Sequence, residues 1–235
     1  MNENDPRSRI ALALDVPDLG AAKALIERTR DHVDTFKVGL ELFTAAGPAA
    51  IETIHAADGR CFLDLKLHDI PATMGRAVAT AASMGVAYLT VHGAAGSEAL
   101  RKAQENAGST RLLAVTVLTS LDAAALAAIG LTGTPESAAN RLAKLAWNAG
   151  LRGFVASAQE SRSLRGDLGE EAFLVTPGVR PAGADRGDQK RVMTPAAAIE
   201  AGADLLVVGR PIRDARDPGQ AAAEIAAQVA LALSR

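Results

Sequence analysis

Aromatic residues make up only 3% of this 235-residue chain, which argues against a surface that stacks successive nucleobases. A dominant charge sign is also missing. The 25 Lys and Arg stand against 27 Asp and Glu, a formal net charge of −2, so no broad basic field marks a nucleic-acid partner. The single cysteine, Cys61, rules out an intrachain disulfide. It is expected to pack as a small hydrophobe in a reducing compartment. No run approaches the roughly 20 apolar residues of a membrane span, so no membrane association is expected. Residues 1–9 are polar and lack the apolar centre of a secretory signal; they are read as a flexible N-terminal segment of a cytoplasmic protein. Four scattered histidines without a spaced carboxylate set point to no metal site. No Gly-x-Gly-x-x-Gly opens the first helical run, and neither a Gly-x-Ser-x-Gly elbow nor a Ser-His-Asp order is present.

What is present is a chain 49% hydrophobic and 22% charged, the balance of a compact globule with a substantial core. Short β-rich runs alternate with helical ones. Strands are expected at 10–15, 35–39, 61–66, 88–92, 112–118, 153–157, 173–176 and 204–208. Helices are expected from about 18, from Pro48 to about 57, and over 71–84, 97–106, 122–129, 135–148, 158–164, 195–201 and 218–233. Eight β-then-α units predict a single-domain (β/α)8 TIM barrel over 10–235; an open doubly wound sheet is the alternative. The stretch 178–191 is rich in Gly, Pro and charge, and reads as a mobile lid.

The most informative run is Leu63-Asp64-Leu65-Lys66-Leu67-His68-Asp69. Its period of two puts the leucines on one face and Asp64, Lys66 and His68 on the other. A carboxylate and an ammonium would then sit side by side at the end of a strand, where barrels build active sites. A structural ion pair is the competing reading. Other polar residues also gather at strand ends: Asp15, Lys37, His92, Thr116, Thr119, Ser120, Thr176, Arg180, Gln189, Gly209 and Arg210. Lys37 could equally be one solvated charge on its strand, and His92 reads as a packed histidine at the barrel mouth. After the seventh and eighth strands, a guanidinium fork, a carboxamide and a glycine amide suit a phosphate group.

Phe62 to Pro71 (FLDLKLHDIP) resembles the signature of the orotidine 5′-monophosphate decarboxylase family. Further likeness lies in Lys37-Val38-Gly39, Val117-Leu118-Thr119-Ser120, Thr176-Pro177-Gly178-Val179-Arg180, Gly187-Asp188-Gln189 and Val208-Gly209-Arg210. It spans nearly the whole chain. Ala72 stands where the family often has Asn.

The resemblance implies conversion of orotidine 5′-monophosphate to uridine 5′-monophosphate and carbon dioxide, without metal or organic cofactor, in a homodimer. Lys37, Asp64, Lys66 and Asp69 would form a charged array, with Asp69 and Thr73 reaching the neighbouring subunit's site. Asp15 and Lys37 would hold the ribose, and Thr119 or Ser120 would face the pyrimidine. Arg180, Gln189, Gly209 and Arg210 would take the phosphate. Two rivals remain at this stage: a related barrel enzyme that uses magnesium on a sugar phosphate, and a non-catalytic sensor of phosphorylated ligands.

Overall fold

The computed structural model describes residues 5–181 and 193–234. Eight parallel strands close into a barrel in chain order: β1 (Ile10–Ala13), β2 (Thr35–Val38), β3 (Arg60–Leu67), β4 (Tyr88–His92), β5 (Arg111–Val115), β6 (Gly153–Val155), β7 (Phe173–Thr176) and β8 (Leu205–Val208). The helices around it are α1 (Leu19–Thr29), α2 (Leu40–Ala46), α3 (Ala49–His55), α4 (Pro71–Ser83), α5 (Ser97–Glu105), α6 (Ala123–Ala128), α7 (Pro135–Asn148), α8 (Ala158–Leu168), α9 (Pro195–Glu200), α10 (Arg210–Arg213) and α11 (Pro218–Leu233). The fold is the (β/α)8 barrel that the alternation predicts.

Local chemistry sets the helix starts. The side chains of Asp18, Asp122, Thr134, Thr194 and Asp217 accept hydrogen bonds from the first-turn amides of α1, α6, α7, α9 and α11. Proline stands in the first turn of α4, α7, α9 and α11, where its missing N–H costs nothing. Two short helices escape the sequence reading. One helix is expected after Pro48, but α2 precedes it and ends at Gly47, whose φ of +56° suits glycine. The four-residue α10 is too short to show a helical period. Pro6–Arg9, inside the segment read as flexible, form a 3-10 turn capped by Asp5.

Strand parity decides what faces inward. In β1, Ala11 belongs to the cluster inside the barrel, while Ile10 and Leu12 join the larger core beneath the helices. Phe62, Tyr88, Leu113, Val175 and Leu205 fill the barrel with Ala11. Two residues further along their strands, the same parity brings Ala13, Asp64, Thr90, Val115 and Val207 toward the C-terminal mouth. Gly153 is required by this packing: a Cβ there would lie 2.5 Å from the Leu112 carbonyl oxygen. Rings and guanidinium groups line the opposite end. Tyr88 stacks on Phe173 at 5.5 Å, Arg111 lies 4.3 Å above Phe173, and Arg60 donates to the Tyr88 hydroxyl at 2.9 Å. Among the described residues, no helix is long and apolar enough to cross a membrane.

Candidate active site

At the C-terminal mouth a cavity of about 420 Å³ is lined by residues from β1 to β3 and β5 to β8 and the segments that follow them. Its centre is a chain of alternating charges. Lys66 Nζ lies 2.8 Å from Asp64 Oδ1, and Lys37 Nζ lies 3.5 Å from Asp64 Oδ2 and 3.2 Å from Asp15 Oδ1. Arg213 extends the chain by donating to the Asp15 carbonyl at 3.0 Å. Gly39 leaves room for it: a Cβ there would stand 3.0 Å from Asp15 Oδ1 and 3.2 Å from Lys37 Nζ.

Asp64 is the hub. Burial by itself pulls its carboxyl upward, but Lys37 and Lys66, with hydrogen bonds from Lys66 and Thr90, hold it below the usual carboxylate range. It is therefore an anion at neutral pH. Lys37 is buried, whereas the Lys66 side chain keeps 32% of its exposure and reaches into the cavity. Arg180, Arg210 and Arg213 line the same space. Five cationic side chains thus converge there against two carboxylates, a field suited to a ligand carrying several negative charges.

The β3 end is not the plain alternating strand of the sequence reading. Pairing with β4 loses register between Leu63 and Leu67, and Lys66 takes a left-handed backbone with φ of +51°. For a residue with a Cβ, that conformation costs about 1–2 kcal/mol. It sits where such strain is commonly functional. Leu65 and Leu67 remain partly buried against the outer core, so the face assignment of the leucines survives the irregularity.

Beside this end, His68 and His92 stack at 5.3 Å. His92 Nδ1 accepts the Ala94 amide at 3.2 Å, which requires an unprotonated ring nitrogen. Burial first, then His68 and Lys66, push its pKa below the ordinary 6.5. The unfolded chain therefore binds the proton more readily than the fold. The contribution is full above pH 6.5 and is lost as pH falls from there toward the lowered value. His92→Gln is expected to flatten the slope of Tm against pH on the acid side of pH 6.5. An unchanged slope would remove His92 from that role.

A family model, Orotidine 5'-phosphate decarboxylase / HUMPS family, matches residues 8–225. The chain belongs to this family. It is 53% identical over 221 residues to an orotidine 5'-phosphate decarboxylase of Thermobifida fusca, covering 94% of this chain and 95% of the relative. One from Anaeromyxobacter sp. is 54% identical over 223 residues, covering 94% and 98%. The crystal structure of the Lactobacillus acidophilus orotidine 5'-phosphate decarboxylase superposes with a TM-score of 0.84 at 33% identity, covering 94% of this chain and 99% of that one.

Family membership gives the expected site residues a frame. Asp15, Lys37, Asp64, Lys66, Thr119, Arg180, Gly209 and Arg210 all line the one cavity. Asp69 and Thr73 do not: Asp69 is exposed, its carboxylate accepting the Ile70 amide at 2.7 Å, and Thr73 is half-buried in the first turn of α4. Ser120 is exposed and outside the lining, whereas Thr119 is in it. Gln189, with Gly187 and Asp188, lies outside the described residues, as does 182–191 of the stretch read as a lid. Arg213 escapes the sequence reading, although it follows Arg210 by three residues, one helical turn. Ser157 also lines the cavity without a motif to announce it.

Proposed function

We propose that this chain converts orotidine 5′-monophosphate to uridine 5′-monophosphate and carbon dioxide in de novo pyrimidine synthesis, using neither metal nor organic cofactor. The observation that carries this reading is the Lys66 ammonium, held by Asp64 and pointed into a cavity with a cationic far side. Loss of carbon dioxide from C6 of the pyrimidine leaves a lone pair in the ring plane, which the π system cannot absorb. A fixed positive charge must then stabilise it. Lys66 supplies that charge where the carboxylate departs and delivers the replacing proton to C6. Asp64 holds this ammonium at 2.8 Å while Lys37 braces the other Asp64 oxygen at 3.5 Å, Asp69 of the neighbouring subunit adds a second carboxylate, and Asp15 and Lys37 bind the ribose hydroxyls. Thr119 meets the base. Arg180, Gln189, Arg210 and the Gly209 amide bind the phosphate. The donor chemistry supports cofactor-free action, since both Asp64 oxygens are already occupied by lysine ammonium groups and a threonine hydroxyl.

Absorbance loss of orotidine 5′-monophosphate, with carbon dioxide release, tests the reading. Turnover unaffected by a chelator is expected. Chelator-sensitive turnover, or activity only on a sugar phosphate, would favour the magnesium-using branch, and no turnover at all would favour a sensor.

The dimer is part of the same reading. The exposure of Asp69 and of neighbouring Ile70, 67% accessible, supports a role for this edge across a two-fold interface, with Asp69 and Thr73 completing the neighbour's site. Inactive Lys66→Ala and Asp69→Ala subunits, mixed and re-equilibrated, are expected to regain about a quarter of wild-type activity, because half of the dimers would carry one intact site. No recovery in verified mixed dimers would contradict a shared site. A cytoplasmic location accords with this metabolic role.

A further inference from the structure

We infer that Thr90 is a positioning residue for the Asp64–Lys66 pair, and that its hydroxyl sets the geometry in which Lys66 acts. Thr90 lies on β4, 1% exposed, with inward parity between Tyr88 and the mouth. Its Oγ1 accepts the Lys66 backbone N–H at 2.9 Å and donates to Asp64 Oδ1 at 2.9 Å. Both directions are forced, since an amide N–H can only donate and a carboxylate can only accept. One hydroxyl therefore holds the backbone of the lysine and the carboxylate that pairs with the same lysine's ammonium group.

The position of this contact in the fold gives it its role. Register between β3 and β4 is lost between Leu63 and Leu67, so the Lys66 amide lacks the carbonyl partner of a regular ladder. A buried amide left unpaired is costly, and the Thr90 hydroxyl substitutes for that carbonyl. It does so at the residue whose φ of +51° has to be held by its surroundings. The second bond fixes Asp64 Oδ1, the oxygen that Lys66 Nζ approaches at 2.8 Å. Without the hydroxyl, the Asp64 carboxylate gains torsional freedom and the Lys66 backbone loses its clamp. Both errors converge on the ammonium group, and misplacing a reacting group by about 1 Å can cost about 100-fold in rate. Thr90 touches neither the phosphate-binding arginines nor Thr119 in the bonds described, so substrate affinity should survive its loss.

The inference rests on the decarboxylation reading, and wild-type turnover of orotidine 5′-monophosphate decides that reading separately in the same assay. Thr90→Val keeps the shape and removes the hydroxyl; Thr90→Ser keeps the hydroxyl and removes a methyl group. For Thr90→Val, kcat is expected to fall about 10- to 100-fold, the equivalent of one hydrogen bond to a charged group, while KM and uridine 5′-monophosphate affinity change less than about threefold. Thr90→Ser is expected to recover kcat to within about fivefold of wild type. If Thr90→Val fails to fold, Thr90→Ala provides the same comparison, with its Tm measured alongside. An active wild type with unchanged kcat in the hydroxyl-free variant would overturn the inference. So would a Thr90→Ser enzyme as impaired as Thr90→Val, or a loss shared equally between kcat and KM.

Discussion

Lys66→Ala is expected to lower kcat for orotidine 5′-monophosphate by about 10⁵-fold, because one substitution removes both a preorganised charge and, in the proposed reaction, the proton donor. Uridine 5′-monophosphate should still bind within about fivefold of wild type, since Lys66 acts on charge that develops only as carbon dioxide leaves. The cavity should persist in the variant. Asp64 would keep Lys37 at 3.5 Å and the Thr90 hydroxyl at 2.9 Å, so its charge is not left without partners. Steady-state decarboxylation and calorimetric titration with the product read the two arms separately. Near-normal turnover in the purified variant would remove Lys66 from the chemical step. Loss of product binding in parallel with turnover would reduce Lys66 to a general ligand contact.

Arg210→Ala should separate the remote phosphate from the reacting carbon. The residue opens α10, directly after the Gly209 turn at the end of β8, and lines the cavity. A guanidinium on a phosphate makes charge-assisted, often bidentate hydrogen bonds, so kcat/KM for the phosphorylated substrate is expected to fall about 10²- to 10³-fold. The bare nucleoside, orotidine, offers no phosphate and should lose less than about threefold. Equal losses for both substrates would show that Arg210 does not act through the phosphate. The comparison also asks whether binding far from C6 is used at C6. If so, part of the loss on the nucleotide should appear in kcat as well as in KM.

The sequence showed much of this arrangement because barrel parity and strand-end placement are local rules. Once Phe62 is assigned inward, Asp64 must follow it, and Lys37, Asp15 and Gly209 reach the same mouth from other strands. The run at Leu63 to Asp69 was informative for the same reason. The irregularity inside that run was hidden. No property of lysine asks for φ of +51°; that conformation is imposed by the mismatch of β3 with β4, which is a tertiary fact. Thr90 was hidden with it, because a threonine inside a strand reads as ordinary β propensity until its hydroxyl is found between Lys66 and Asp64. Arg213 was obscured because α10 is a single turn with Pro211 inside it. The fate of Asp69 is different again. The residue is exposed and accepts the Ile70 amide, outside the cavity that holds Lys37, Asp64 and Lys66, so a role across a subunit interface is not legible from one chain's own geometry.

In the proposed reaction the Asp64-held ammonium of Lys66 stabilises a carbanion at C6. By microscopic reversibility the same field must act on the product. Proton NMR of uridine 5′-monophosphate in deuterium oxide, with catalytic amounts of the protein, follows that reaction without any decarboxylation. Loss of the C6 proton signal is expected with wild type, with little or none in Lys66→Ala at equal site occupancy. A wild-type protein that turns over orotidine 5′-monophosphate yet leaves the C6 proton unexchanged at saturation would contradict a stabilised carbanion.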